Sequence, residues 1–351
     1  MARPFTTPRE LAVLVEYVNE LVELQLRKPR LFNALRAKEF ILYKYKGDDI
    51  RWRVKIGQKT PTAITGTLPN VPFDAISRHK TAVLDFRGYG MGEPILKIEK
   101  LKDSSKTRYP QIVDDAMREA MTDFEKFLAS SIYADGGASD QNMHGLESFC
   151  GASGQVTGRP VMQPNDSYAG MSTVLGAYGG TISGTFPDGT FTPEYAFWSP
   201  LLVKYNDTYF GQGATWATSW TKALRYAQTW LRSNWGAEPD LVAMHPDMER
   251  IARDSKDETQ RIIVTPKSQV VDFGIQTTNF EGLEIIADPY CPVNTAYMLD
   301  SSHIKLINLQ AKLIDVHRSE DHYGNTLYYL DFYGNYRVWT PAVVAKLYSV
   351  S

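Results

Sequence analysis

Three stretches of the chain repeat their apolar residues at helical spacing. In the first, Leu11, Leu14, Val15, Val18, Leu21, Val22 and Leu26 fall on one stripe that Pro29 interrupts, so residues 8–38 read as an amphipathic arm that needs a surface to lie on. In the second, Ile112, Val113, Ala116, Met117, Ala120, Met121, Phe124, Phe127, Leu128 and Ile132 keep the period without a break. Pro110 suits a first helical turn, Asp114 and Asp115 sit where the macrodipole favours anions, and Gly136-Gly137 stops the pattern. A helix over about 110–134 would be roughly 37 Å long, a strut rather than an ordinary globular helix. In the third, Trp220, Leu224, Ala227, Leu231 and Trp235 predict a helix over 216–235.

Elsewhere the period is two. "IRWRVKIG" puts Ile50, Trp52, Val54 and Ile56 on one face and Arg51, Arg53 and Lys55 on the other. A Thr/Pro/Gly-rich stretch follows, and "TAVLDFRGYGMGEPILKIEKLK" then returns to the long helix, the glycines of "GYGMGE" reading as a kink in extended chain. A lone two-stranded hairpin is marginal in water, so this excursion must lean on something else. Residues 150–200, rich in Gly and Ser, read as surface loop with short strands. From 216 to 300 the order helix, strand, helix, loop, strand, strand describes a mixed α/β lobe, and from Ile304 the chain is almost entirely β.

Composition narrows the function. The 351 residues are 43% hydrophobic, enough for a substantial core, and 38 basic against 40 acidic side chains leave a net charge of −2. Broad phosphate binding would need a basic excess. The one dense basic run, Arg27, Lys28, Arg30, Arg36 and Lys38, reads as a solvated helix end. Cys150 and Cys291, the only cysteines, offer neither a disulfide framework nor zinc spacing. No apolar run is long enough to cross a bilayer.

No G-x-S-x-G elbow or phosphate cradle occurs, and "GYGMGE" has its third glycine one place early for a dinucleotide fingerprint. His317 and His322, with Glu320 and Asp321 between them, form the best metal candidate, yet they fall in a polar turn that reads as an exposed hairpin loop. The sequence therefore offers no catalytic residues, no cofactor site and no metal site. The aromatics crowding the C-terminal strands, Tyr323, Tyr328, Tyr329, Phe332, Tyr333, Tyr336 and Trp339, read as packing and interface residues.

The order of these parts resembles the major capsid proteins of tailed bacteriophages with the HK97 fold. The resemblance spans essentially the whole chain. It is carried by "RYPQIVDDAMREAMTDFEKFLAS" as spine helix, Gly145-Leu146 after it, "DLVAMHPDMERIAR", and "FEGLEIIADPYCPVNTAYMLDSSHIKLI". It implies an α+β fold with an N-terminal arm (1–39), an extended hairpin loop (40–104), a peripheral domain with spine helix and possible insertion (105–200), an axial domain (201–303) and a β-rich return to the peripheral domain (304–351).

It further implies a non-enzymatic subunit of an icosahedral or prolate shell around double-stranded DNA, made in a bacterial cytoplasm and built into hexamers and pentamers. A separate scaffolding protein, a portal, a possible decoration protein and non-specific contact with the packaged DNA belong to the same expectation; no membrane does. Ile50, Trp52, Val54, Ile56 and Lys59 become the candidate contacts to a neighbouring subunit, the apolar four being expected bare in a single chain. Val113, Met117, Met121, Phe124 and Leu128 become the spine-helix packing residues. Some relatives link a loop lysine to a neighbour's asparagine, and Lys55 and Lys59 lie in that region without an identified partner. A hydrolase or transferase of mixed fold, or another self-associating virion or tail component, stays open as the alternative.

Overall fold

The computed structural model describes residues 29–55, 79–95, 108–178, 197–257, 278–320 and 325–349. The first part contains α1 (Arg30–Ala37), β1 (Ile41–Leu42), β2 (Ile50–Lys55), β3 (His79–Leu84), β4 (Arg87–Ile95) and the spine helix α2 (Arg108–Ser131). Short strands β5 (Ala152–Gln155), β6 (Val161–Pro164), β7 (Ser167–Tyr168) and β8 (Met171–Ser172) follow. Then come β9 (Leu201–Lys204), α3 (Trp216–Trp235), β10 (Leu241–Met244), α4 (Pro246–Asp257), β11 (Thr278–Phe280), β12 (Leu283–Ala287) and β13 (Thr295–Leu299). The chain closes with β14 (Ile304–Asn308), β15 (Asp315–Glu320), β16 (Thr326–Val338) and β17 (Ala345–Tyr348).

A five-stranded sheet is built around β16. One edge of β16 pairs antiparallel with β4 from Thr326 to Gly334; the other pairs with β15 and then β14, beyond which β1 runs parallel. Alternation decides the faces: Leu330, Phe332, Tyr336 and Val338 point inward and are buried, while Leu327, Tyr329 and Tyr333 point out. The glycines of β4 do not kink it. The strand is continuous over nine residues, and Gly88 and Gly90 make room for aromatic rings. A Cβ at Gly88 would lie 2.8 Å from the Tyr333 ring, and one at Gly90 would overlap the Tyr329 hydroxyl.

The spine helix crosses the inner face. Ala116, Ala120, Phe124 and Leu128 form its buried seam, and the Tyr336 hydroxyl donates to the Leu128 carbonyl at 2.6 Å. Past its end, the Leu146 N–H donates to the Ile132 carbonyl at 2.6 Å, satisfying a group the helix leaves orphaned. That approach needs Gly145, because a Cβ there would sit 2.3 Å from the Ile132 oxygen and 2.5 Å from the Ser131 oxygen. Gly145→Ala is expected to cost about 2–3 kcal/mol in urea unfolding, since backbone and not a yielding side chain blocks the new methyl. An unchanged midpoint would show that this turn is looser than the contact distances require.

The eight-stranded sheet runs β11-β12-β10-β13-β17-β9-β6-β5. Here two expectations are corrected. The C-terminal return does not stay with β14–β16: a short 3-10 turn at Pro341–Val343 redirects the chain, and β17 lies between β13 and β9 in the larger sheet. Period-two patterning marks a strand without naming its sheet. Residues 152–172 are also more than surface loop. β5 and β6 extend the larger sheet, and the β7–β8 hairpin buries Tyr168 beside Trp198, Phe149 and Trp52.

α3 begins with a reciprocal Thr215–Thr218 capping box and ends at Gly236 in the left-handed region. Trp220, Leu224, Ala227 and Leu231 are buried as their spacing predicts, and the Trp216 indole donates to the Met248 carbonyl at 2.8 Å, tying α3 to α4. α1 joins the two sheets' elements: Arg36 pairs with Glu125 of α2 at 3.2 Å, and Lys38 with Asp240 beside β10 at 2.6 Å. Lys38 therefore serves the chain's own packing, where the sequence read a solvated end, whereas Arg36 is exposed as that reading expects.

Candidate assembly surfaces

The root of the hairpin belongs to the subunit's own core, contrary to the expectation of a bare apolar face. β2 and β3 pair with Ile50 opposite Leu84 and Trp52 opposite Ala82. All four are buried, Trp52 to 5% exposure. Its indole N–H donates to the Trp339 carbonyl at 2.9 Å, and its ring lies 6.4 Å from both Tyr168 and Trp198. The cover comes from residues far away in sequence, so no neighbour is needed to hide Ile50 or Trp52. Val54 is half-buried against the same core, while Ile56 and Lys59 lie outside the described residues. The opposite face keeps Arg51, Arg53 and Lys55 exposed, with Thr81 and His79 across from the latter two, and among the described residues only Arg51 is paired there, with Asp49.

Along the spine helix, Phe124 and Leu128 are buried and Met117 is half-buried against the core. Met121 departs from the expectation at 39% exposure. It follows Ala120, the seam residue, and one helical step turns it about 100° away from the sheet. The side chain of Val113 lies outside the described residues. Phe127, exposed on the helix flank, meets the Tyr89 ring edge-on at 4.7 Å.

Two polar clusters, the first buried and the second half-buried, hold the lobes together, and neither was singled out from the sequence. The Asp288 carboxylate accepts from the Leu31 N–H at 3.0 Å, the Tyr133 hydroxyl at 3.1 Å and the Tyr290 N–H at 3.1 Å. It thus joins the start of α1, the end of the spine and the turn after β12. Burial pushes its pKa up despite these donors. In the second cluster, Glu147 accepts from the Tyr297 hydroxyl and pairs with Lys346 at 2.6 Å. Asp288 and Tyr297 do fall inside the "ADPYCPVNTAYMLD" string that carried the resemblance; their role is structural.

Cys150 and Cys291 are buried free thiols, and burial pushes both pKa values up, away from nucleophilic thiolate. His317 Nε2 faces the Asp331 carboxylate at 3.5 Å, whereas His322 lies outside the described residues. Among the described residues no three metal-ligating side chains converge, and no helix is long and apolar enough to cross a membrane.

A helix-backed five-stranded sheet is thus tied to a second mixed sheet through α1 and the Asp288 carboxylate. The family model for the SU10 major capsid protein matches residues 76–321, and the chain belongs to that family of major capsid proteins, components of the virion capsid. Solved structures agree on the HK97-like fold. The capsid of a native GTA particle matches with a TM-score of 0.60 at 12% identity, over 95% of each chain. The cyanophage A-1(L) capsid matches with a TM-score of 0.58 at 14% identity, over 97% of this chain and 98% of that one. An encapsulin from Synechococcus elongatus matches with a TM-score of 0.53 at 10% identity, over 99% and 97%. No curated protein sequence matches.

Proposed function

We propose that this major capsid protein closes a shell of hexamers and pentamers around double-stranded DNA, without catalytic activity. A scaffolding protein, a portal and a decoration protein are its proposed assembly partners. The observation that carries the reading is the family match over residues 76–321, which includes the spine helix and most of both sheets. Contact with DNA is non-specific in this reading, since a net charge of −2 leaves no broad basic surface to read a sequence.

The hairpin is assigned two parts. Its root, Ile50 to Lys55 with His79 to Leu84, is internal structure; the segment between, with Ile56 and Lys59, reaches a neighbouring copy. Replacing residues 58–77 with a short Gly/Ser turn is therefore expected to leave thermal stability within about 2 °C of wild type. Negative-stain microscopy should then show shells for the wild type and only unclosed subunits or small oligomers for the variant. Normal shells from the shortened hairpin would remove the segment from the assembly contact, and discrete particles without rings or shells from the wild type would sink the reading itself.

A further inference from the structure

Lys305 and Arg337 stand directly opposite each other on β14 and β16, so they share one face of the five-stranded sheet. Residues so opposed have Cβ atoms about 5 Å apart, and two like charges there repel. Nothing among the described residues answers them. Lys305 Nζ donates to the Glu39 carbonyl at 3.2 Å and reaches no carboxylate, while Arg337 makes neither an ion pair nor a side-chain hydrogen bond. The Arg337 Nε is buried without a partner, and burial lowers the pKa of the group, because its surroundings do not compensate the charge. Asp300, the acid closest to Lys305 in the chain, is already engaged by Ser302 and His303.

The guanidinium is nonetheless fixed in place. It lies 5.9 Å from the centre of the buried Trp52 ring and 5.0 Å from that of Trp339, two cation–π contacts. Its terminal nitrogens are not enclosed as Nε is, so they stay open to a ligand. Trp339 is 44% exposed, which sets a partly bare indole beside two cations that lack an anion. Charge narrows the ligand. A carboxylate or a phosphodiester brings one negative charge and leaves one cation unmet, whereas a phosphate monoester brings about −1.5 to −2 at neutral pH. The indole adds a stacking surface for a planar base.

From the opposed cations and the exposed indole we infer that Lys305 and Arg337 hold the phosphate of a nucleoside 5′-monophosphate whose base stacks on Trp339. The source is a free nucleotide or the 5′-phosphorylated end of a nucleic-acid strand, which present the same group. An acidic side chain of another copy fits less well, since its single charge would leave the repulsion between Lys305 and Arg337 half relieved. Binding of this kind involves no reaction, and it is a property of the single subunit.

The test titrates the full-length, unassembled protein with adenosine 5′-monophosphate by saturation-transfer NMR, with the other ligands added as competitors. Its outcome is thereby separate from shell formation. Binding with a Kd below about 1 mM is expected, and about tenfold weaker binding for adenosine, for the singly charged methyl ester of the nucleotide and for inorganic phosphate. Lys305→Gln should lose about tenfold in affinity while melting no lower than wild type, because it also removes the repulsion with Arg337. Trp339→Leu should bind the nucleotide no better than inorganic phosphate. Full affinity in Lys305→Gln, equal affinity for the nucleotide and adenosine, or no saturation transfer at about 1 mM nucleotide would each overturn the assignment. Acetate competing as well as the nucleotide would give the cations to a protein carboxylate, which also overturns it. A thymidine pentamer that gains affinity from a 5′-phosphate would place the source at strand ends, and one that binds weakly with or without it, beside a tightly held free nucleotide, would place it with free nucleotides; both support the site.

Discussion

Trp52→Ala is expected to cost about 3–5 kcal/mol, the range for emptying a buried large aromatic site. The substitution removes a ring packed against Tyr168 and Trp198 and leaves the Trp339 carbonyl without its indole donor. Against a typical total stability of about 5–15 kcal/mol, that loss should collapse the soluble yield. Trp52→Phe keeps most of the volume and should cost about half as much. Arg53→Ala and Lys55→Ala, on the exposed face of the same strand, should stay within about 0.5 kcal/mol. Urea unfolding of the unassembled subunit distinguishes these outcomes. A Trp52→Ala protein as stable as wild type but unable to form shells would return Trp52 to the subunit contact and refute the internal packing described here.

The same residue shows what was legible in the sequence. That Ile50, Trp52 and Val54 share a covered face follows from a period of two, and the structure puts them on one face of β2. What covers it does not follow, because Tyr168 is a single aromatic inside a Gly/Ser-rich run and its burial depends on β16 donating the Val338 N–H to its hydroxyl at 2.9 Å. The spine helix behaves similarly. Its existence was plain from ten apolar positions, yet that stripe is wider than the sheet it meets, and small Ala116 and Ala120 mark the closer side rather than Met121. The helix over 216–235 and the β-rich chain from Ile304 stand where the pattern put them. The destination of β17 and the purpose of the β4 glycines are matters of pairing, which only the partner strand reveals.

The Glu147 cluster carries the other large expected effect. Tyr297 and Lys346 are directly opposed across β13 and β17, and Glu147, in the turn that follows the spine helix, takes one with each carboxylate oxygen. Burial raises the Tyr297 pKa and the neighbouring carboxylate raises it further, so the hydroxyl stays a donor. Glu147→Ala would leave an ammonium and a hydroxyl in largely dry surroundings with nothing to accept from them, a loss of about 3 kcal/mol. Lys346→Met alone leaves the carboxylate unpaired except by Tyr297 and should cost nearly as much. Glu147→Leu combined with Lys346→Met replaces the pair with apolar side chains of similar volume and should recover most of the stability, so a double-mutant cycle with Glu147→Leu and Lys346→Met as its single variants should give a coupling of about 4 kcal/mol. Single variants within about 0.5 kcal/mol of wild type, or strictly additive losses, would show that Glu147 and Lys346 are solvated and do not anchor the spine to the larger sheet. If the anchor is real, the double variant should build shells at temperatures where Glu147→Ala no longer does, because assembly needs the two sheets to move as one body and not the charges that hold them.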